Sequence, residues 1–245
     1  MNSLLIYKIL FVCLLILYIH YKNTYIVVCG ISGLGNKIRV LLSYMYKARK
    51  ENKKLIFYWR YEDSTCPEYY NNLFENIPDV EIRTMNKYNI FCYIICNYIG
   101  YYEENKEYIN HKYNLLLKPI PILYDKINIY KQHLHNNYIA CHIRRTDSIG
   151  HVSFKHKTDE EYMKFIDSHD NKLKIYIATD NRDTQDLFIK KYGDRLYIKP
   201  IIPSDKYRQT SVQDAVIDIY VCAGANYFMG TDGSSFTDTI NNIRM

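Results

Sequence analysis

Apolar and polar positions along this chain follow two alternating rhythms. Residues 4–19 are apolar apart from Lys8, and residues 9–19 run without interruption. Residues 24–29 (TYIVVC) are β-branched and apolar, the pattern of a buried strand. A turn follows with Gly30, Gly33 and Gly35, and then residues 36–51 carry Ile38, Leu41, Leu42, Met45 and Ala48 along one helical face. Residues 54–59 (KLIFYW) predict another strand, 61–75 a polar loop with a short helix, and 80–83 and 90–96 two further strands.

Pro119 and Pro121 interrupt this pattern and predict an extended linker, with the boundary between two halves inside 118–136. Beyond it, residues 122–134 predict a helix, 138–143 (YIACHI) a strand, 159–168 a helix and 173–178 (LKIYIA) a strand. Thr158 and Glu161 are spaced as a capping box for the first of these later helices. A helix over 182–192 is closed by Gly193 at the C′ position. Strands at 195–198 and 227–229 and helices at 211–223 and 236–243 complete the series. Strand–helix alternation with right-handed crossovers means parallel sheets. The expected class is α/β: two Rossmann-like domains with mostly parallel sheets facing across a cleft. The N-terminal hydrophobic segment takes residues 1–22, the first domain 23–120 and the second 136–245.

The apolar run of residues 4–19 is shorter than the roughly twenty residues that span a bilayer. Its uninterrupted part suits the hydrophobic region of a secretory signal, but His20-Tyr21-Lys22-Asn23 offers no small-residue cleavage site. An uncleaved single-pass signal anchor, of ER or Golgi type, is the expectation; a helix packed on the domain is the competing one. No Asn lies in an N-x-Ser/Thr sequon.

Composition narrows the function classes. The chain has 245 residues, 48% hydrophobic and 24% charged, so disorder is excluded. The 27 tyrosines are scattered, which reads as coding bias rather than a motif. A net charge of +6 favours anionic ligands, yet no basic run or stripe marks a nucleic-acid binder. The 7 cysteines form no CxxC pair, so they read as buried core thiols rather than a zinc site or a disulfide framework.

In open parallel sheets, ligands bind beyond the carboxyl ends of the strands. Four motifs fall at predicted strand ends: Gly30–Asn36, His142–Asp147, Thr179–Asn181 and Thr231–Ser235. The first is neither GxGxxG nor a Walker loop, but it can bring backbone amides and a helix N-terminus to an anion. The second carries adjacent Arg144 and Arg145, costly to bury without anions and suited to phosphate, with Asp147 able to hold one of them. Asp180 ends a buried strand. Asp218 lies within an apolar helix, where it either takes a partner such as a ligand N–H or sits on a solvated face. Ser234 and Ser235 stand at a loop-to-helix junction where a phosphate can be held.

Together, Gly33-Leu-Gly-Asn36, His142-Ile-Arg-Arg-Thr-Asp147, Ala178-Thr-Asp180, Asp218-Ile-Tyr and Ser234-Ser235 resemble the GDP-fucose-dependent fucosyltransferases of the α1,6-, nodulation-type and protein-O-fucosyl group. The resemblance runs from about residue 25 to the end. It implies a GT-B fold and an inverting, metal-independent transfer of L-fucose from GDP-fucose, with no cofactor besides that donor substrate. The donor would bind the C-terminal half, and a glycan or glycolipid acceptor the N-terminal half. It also implies that Arg144 and Arg145 neutralise the diphosphate, with Asp147 supporting them, and that His142 and Asp218 read the guanine. Asp180 would meet the nucleoside, Ser234 and Ser235 a phosphate, Gly35 and Asn36 the donor-side loop, and Tyr162 the donor. Two departures matter: Ser148 stands where the α1,6 enzymes carry Lys, and His151-Val152 where they carry a candidate basic Glu. His151 and Asp147 are therefore the candidate bases. Competing readings are a non-catalytic nucleotide- or glycan-binding protein of this fold, or a transferase of another nucleotide sugar.

Overall fold

The computed structural model describes residues 3–62, 64–85, 96, 98–100, 116–145, 157–201 and 210–244. Two parallel four-stranded sheets form its frame. The first is ordered β3-β2-β1-β4, from β1 (Tyr25–Gly30), β2 (Lys54–Arg60), β3 (Val80–Met85) and β4 (Tyr98–Gly100). The second is ordered β7-β6-β5-β8, from β5 (Tyr138–Ile143), β6 (Lys174–Thr179), β7 (Leu196–Tyr197) and β8 (Tyr227–Met229). The helices are α1 (Ser3–Thr24), α2 (Leu34–Lys50), α3 (Pro121–His133), α4 (Asp159–Asp167), α5 (Arg182–Tyr192), α6 (Val212–Ala223) and α7 (Ser235–Arg244).

β1 and β5 are apolar on both faces because helices or side-chain clusters cover both faces. In β5, Tyr138 and Ala140 pack toward α6 and α7, while Ile139, Cys141 and Ile143 pack with Tyr162 and Ile166 of α4 and Phe188 of α5. Local punctuation falls where the sequence puts it. Thr158 and Glu161 form the reciprocal capping box on α4. Asn181 and Ser211 cap α5 and α6 by accepting backbone N–H bonds. Gly193 takes a φ of +50° at the end of α5, which favours glycine.

Two expectations change, and a third lies mostly outside the described residues. The extended stretch before α3 is tied down: Glu75 N–H donates to Lys118 C=O at 2.8 Å, and Ile120 N–H donates to Leu73 C=O at 3.1 Å. Pro121 then opens α3, where its missing N–H costs nothing. The expected strand at 90–96 falls largely outside the described residues, and β4 lies beyond it. The N-terminal helix is longer than its apolar run, because helix continues through the polar-aromatic residues after Ile19 and feeds directly into β1. Residues 5–20 are all exposed, which overturns the helix packed on the domain. Leu5–Thr24 is 20 residues long with a mean hydropathy of 1.8, long and apolar enough to cross a membrane. Cys29, Cys66, Cys96, Cys141 and Cys222 are buried as expected, and Cys13 is exposed on α1.

The two sheets share a continuous core. One apolar cluster runs from Ile26 and Leu41 beside the first sheet to Tyr138, Ile219 and Ile240 beside the second. The crossing is made by α2 against α7. Arg39 of α2 donates to Asp238 of α7 at 3.0 Å. A Cβ on Gly35 would stand 2.8 Å from the Ser235 carbonyl carbon and 2.9 Å from the Phe236 nitrogen. Backbone atoms cannot swing aside, so only glycine allows this approach. Gly35→Ala is therefore expected to destabilise the protein by about 1–3 kcal/mol in chemical denaturation, through overpacking. Stabilisation, the usual result of removing a helical glycine, would show that the helices stand farther apart.

Candidate functional site

The strand order of the second sheet sets the site. Along its carboxyl edge, the segment after β7 carries Lys199, β6 ends at Asp180, β5 at Arg144 and Arg145, and β8 leads to Thr231 and Ser234. With strands about 4.8 Å apart, these ends span roughly 15 Å.

The arginine pair is fixed before any ligand arrives. Arg145 N–H donates to Asp180 Oδ1 at 2.8 Å, so the neighbouring strand end holds this turn. Its guanidinium donates to Asp159 Oδ1 at 2.7 Å and lies 5.9 Å over the Tyr162 ring. Arg144 N–H donates to Thr231 Oγ1 at 3.0 Å. The Thr231 hydroxyl in turn donates to His142 C=O at 3.1 Å, and the Tyr162 hydroxyl bonds it at 3.1 Å. Thus β5, β6, β8 and α4 all brace the same two residues. Both arginines are partly exposed at the rim. Lys157 adds a third cation there, 2.6 Å from Asp232.

Several roles shift. Tyr162 is fully buried beneath the arginine turn, its hydroxyl bonded to the His142 carbonyl and to Thr231. Asp180 spends one oxygen on the Arg145 backbone. Asp159 is the carboxylate seen beside Arg145. Asp147 and His151, like Ser148, lie outside the described residues.

His142 is buried, its Nδ1 bonded to Thr237 Oγ1 at 2.8 Å and its ring stacked 4.6 Å from that of Phe236. Burial, with Arg144 nearby, lowers its pKa to about 3, so the imidazole is neutral at physiological pH. Asp218 is brought to Tyr176, whose hydroxyl donates to it at 2.5 Å, and to Lys199 at 3.2 Å. Burial raises its pKa above the usual carboxylate value, against the pull of Lys199. It borders a cavity of about 160 Å³ at the ends of β6 and β7.

Beyond β8, Ser234 is fully buried and its hydroxyl has no hydrogen-bond partner among the described residues. Its carbonyl accepts the Asp238 N–H at 2.9 Å, making it the N-cap of α7 without side-chain capping. Across the contact at Gly35, the N-terminus of α2 also lacks a side-chain cap. Two positive helix ends therefore meet beside the arginines. On the α2 side, Asn36 Nδ2 donates to Ser32 Oγ at 3.1 Å, and Ser32 takes a left-handed φ of 77°. Buried Lys37 bonds the Arg60 carbonyl and stands 3.3 Å from Glu62, a carboxylate just past β2.

Sequence reading missed Asp159, Thr237, Lys157, Lys199 and Glu62. Asp159 was visible only as an acidic first-turn residue, which ordinarily signals helix-dipole compensation. Thr237, Lys157 and Lys199 lie far in sequence from what they touch, as does Glu62 from Lys37.

No protein-family model matches the chain. GDP-fucose protein O-fucosyltransferase 2 of Plasmodium berghei (strain Anka) is 26% identical over 184 residues, 61% of this chain and 38% of that protein. The chain thus spans well under half the length of this relative. The structure resembles the NodZ α-1,6-fucosyltransferase soaked with GDP-fucose, with a TM-score of 0.63, 15% identity and coverage of 90% of this chain and 92% of that one. It also resembles POFUT1 in complex with GDP, with a TM-score of 0.59, 12% identity and coverage of 91% and 94%. The fold is of the GT-B type, and the resemblance carried by the sequence motifs is found again at both levels.

The depressed His142 pKa makes a signed prediction. Between about pH 6.5 and 3 the unfolded histidine binds a proton that the folded one refuses, so stability falls as pH drops through that window and is fully present above it. From pH 7 to 4, wild type is expected to lose about 3 kcal/mol more than His142→Gln. Equal losses in urea titrations at the two pH values would contradict a neutral buried imidazole.

Proposed function

We propose that the protein is an inverting, metal-independent glycosyltransferase that moves L-fucose from GDP-fucose to a glycan or glycolipid acceptor. The observation that carries this is the arrangement along one sheet edge. A small cavity bordered by Asp218 lies at β6 and β7, paired arginines stand at β5, and a helix N-terminus follows β8 with a buried serine hydroxyl that has no partner among the described residues. That order matches a nucleoside diphosphate laid across the strands: base first, ribose near Asp180, diphosphate over Arg144, Arg145, Ser234 and Ser235. The fucosyl group then reaches the loop at Gly35 and Asn36, facing the acceptor half.

In this reading the acceptor hydroxyl oxygen attacks the fucose anomeric carbon from the face opposite GDP. The bond from that carbon to the β-phosphate oxygen breaks and its electron pair leaves with GDP, inverting the centre. The charge gathered on the phosphate is offset by the guanidinium groups and the α7 amides, which are already oriented. The acceptor proton passes to a base, for which His151 and Asp147 remain the candidates. Neutral His142 orients the site through Thr237 instead of supplying charge, and together with Asp218 faces the nucleoside. The N-terminal helix serves as a single-pass membrane anchor of ER or Golgi type. Since α1 runs into β1 without a spacer, the first domain sits at the bilayer surface.

Full-length protein in detergent, given GDP-fucose and simple sugar acceptors, is expected to release GDP. Arg144→Ala should lower that turnover about 10²- to 10³-fold with an unchanged melting temperature. Unimpaired turnover would refute the role of Arg144. Tight GDP binding without release across acceptors would instead favour a non-catalytic nucleotide-binding protein.

A further inference from the structure

One end of the first domain carries charge that the transfer reaction leaves unused. α1 ends at Thr24 and β1 starts at Tyr25, whose register partner is Lys54, one strand spacing or about 4.8 Å away. Lys22 stands in the last turn of α1, and Lys47, Arg49 and Lys50 in the last turn of α2. A tight turn brings the end of α2 to the start of β2: Asn52 N–H donates to Arg49 C=O at 3.2 Å, and Lys53 N–H to Ala48 C=O at 2.8 Å. The fold thus gathers these cations, with Lys53, at the amino edge of the first sheet, beside the point where α1 leaves the domain. Arg49, Lys50 and Lys54 are exposed. Among the described residues, the carboxylates at this edge are Glu51, 2.9 Å from Lys53, and Asp79, just before β3. Compensation of the helix dipole accounts for cations in the last turn of α2, but not for Lys22, Lys53 or Lys54. Tyrosines complete the junction: the Tyr21 ring lies 5.2 Å from that of Tyr25, and Lys22 Nζ stands 5.5 Å over the Tyr18 ring. Such rings sit at headgroup level where a helix leaves a bilayer.

We propose that this edge is a docking surface for anionic phospholipid headgroups, drawn there by Lys22, Arg49, Lys50 and Lys54. This rests on the reading of α1 as a membrane anchor, because the bilayer then brings headgroups to the edge. The attraction between basic side chains and an anionic bilayer surface reaches about one Debye length, roughly 8–10 Å at ordinary salt. Lys54, one strand from the exit of α1, lies within that reach, and the turn at 51–53 keeps Arg49 and Lys50 close to it. The patch is separate from the diphosphate site. β1, 6 residues long, sets roughly 20 Å between this edge and the Gly30 turn at the carboxyl edge. Headgroups held here would fix the foot of the domain on the membrane and leave the carboxyl edge open to the acceptor.

The test uses the single tryptophan of the chain, Trp59, which shares β2 with Lys54. Full-length protein is reconstituted into phosphatidylcholine vesicles that carry a trace of phosphatidylserine or of phosphatidylcholine, each with a dansyl dye on its acyl chain. Energy transfer from Trp59 to the dye then reports which lipid gathers at the domain. At low salt, labelled phosphatidylserine should be enriched about 5-fold over labelled phosphatidylcholine, and salt of about 1 M should bring the two to parity. Lys50→Glu combined with Lys54→Glu should abolish the enrichment and leave GDP release in detergent unchanged. Equal transfer to both lipids in wild type at low salt overturns the proposal. So does an enrichment that survives high salt or the double substitution. Flotation checks the anchor separately: wild type that fails to float with pure phosphatidylcholine vesicles at high salt overturns the reading of α1. Wild type that floats there yet shows no enrichment overturns the headgroup surface alone. The salt comparison needs no variant, so it holds even if the double variant does not fold.

Discussion

Two consecutive arginines past one strand end bring positive charge to the edge of the second sheet, and the turn that carries them is held by its neighbours. Carboxylates and a hydroxyl from three neighbouring elements make the bonds. Asp180 fixes the Arg145 backbone, Asp159 its guanidinium, and Thr231 the Arg144 backbone. The bonds to both arginine amides leave the turn little freedom. Charge positioned in advance costs no reorganisation when a phosphate arrives or leaves, which is what makes it effective in a transition state.

The same constraint explains why the two halves touch where they do. Gly35 lets the N-terminus of α2 approach that of α7, so the positive ends of two helix dipoles meet. The Arg39–Asp238 bridge and the shared apolar cluster hold that approach. On the second sheet, the polar chain from Tyr162 through Thr231 to the β5 carbonyl links the hydrophobic interior directly to the rim. Sheet edge and core are therefore not separable here.

Much of this was legible in the sequence. Parallel strands buried on both faces appear as uninterrupted apolar runs, which is why β1, β2, β5 and β6 are readable within a residue or so. Caps have local spelling, so Thr158 with Glu161 and Gly193 mark their helix ends, while Asn181 and Ser211 were not singled out as caps. Strand β4, three residues long among tyrosines and isoleucines, has no such mark. Partnerships over long chain distances are also silent. His142 with Thr237 and Tyr176 with Asp218 are decided by packing, and neither side chain announces the other. Lys199 looked like one lysine among many because its carboxylate partners lie on the following helix. The length of α1 was underestimated for a different reason, since polar and aromatic residues after the apolar run still favour helix.

The central claim is that the sheet edge carries positive charge built for a diphosphate, and the most direct measurement compares phosphate content at constant base. Titrating full-length protein with GDP, GMP and guanosine at low salt is predicted to give affinities falling in that order, guanosine at least about 100-fold weaker than GDP. Guanosine binding as tightly as GDP would contradict the account.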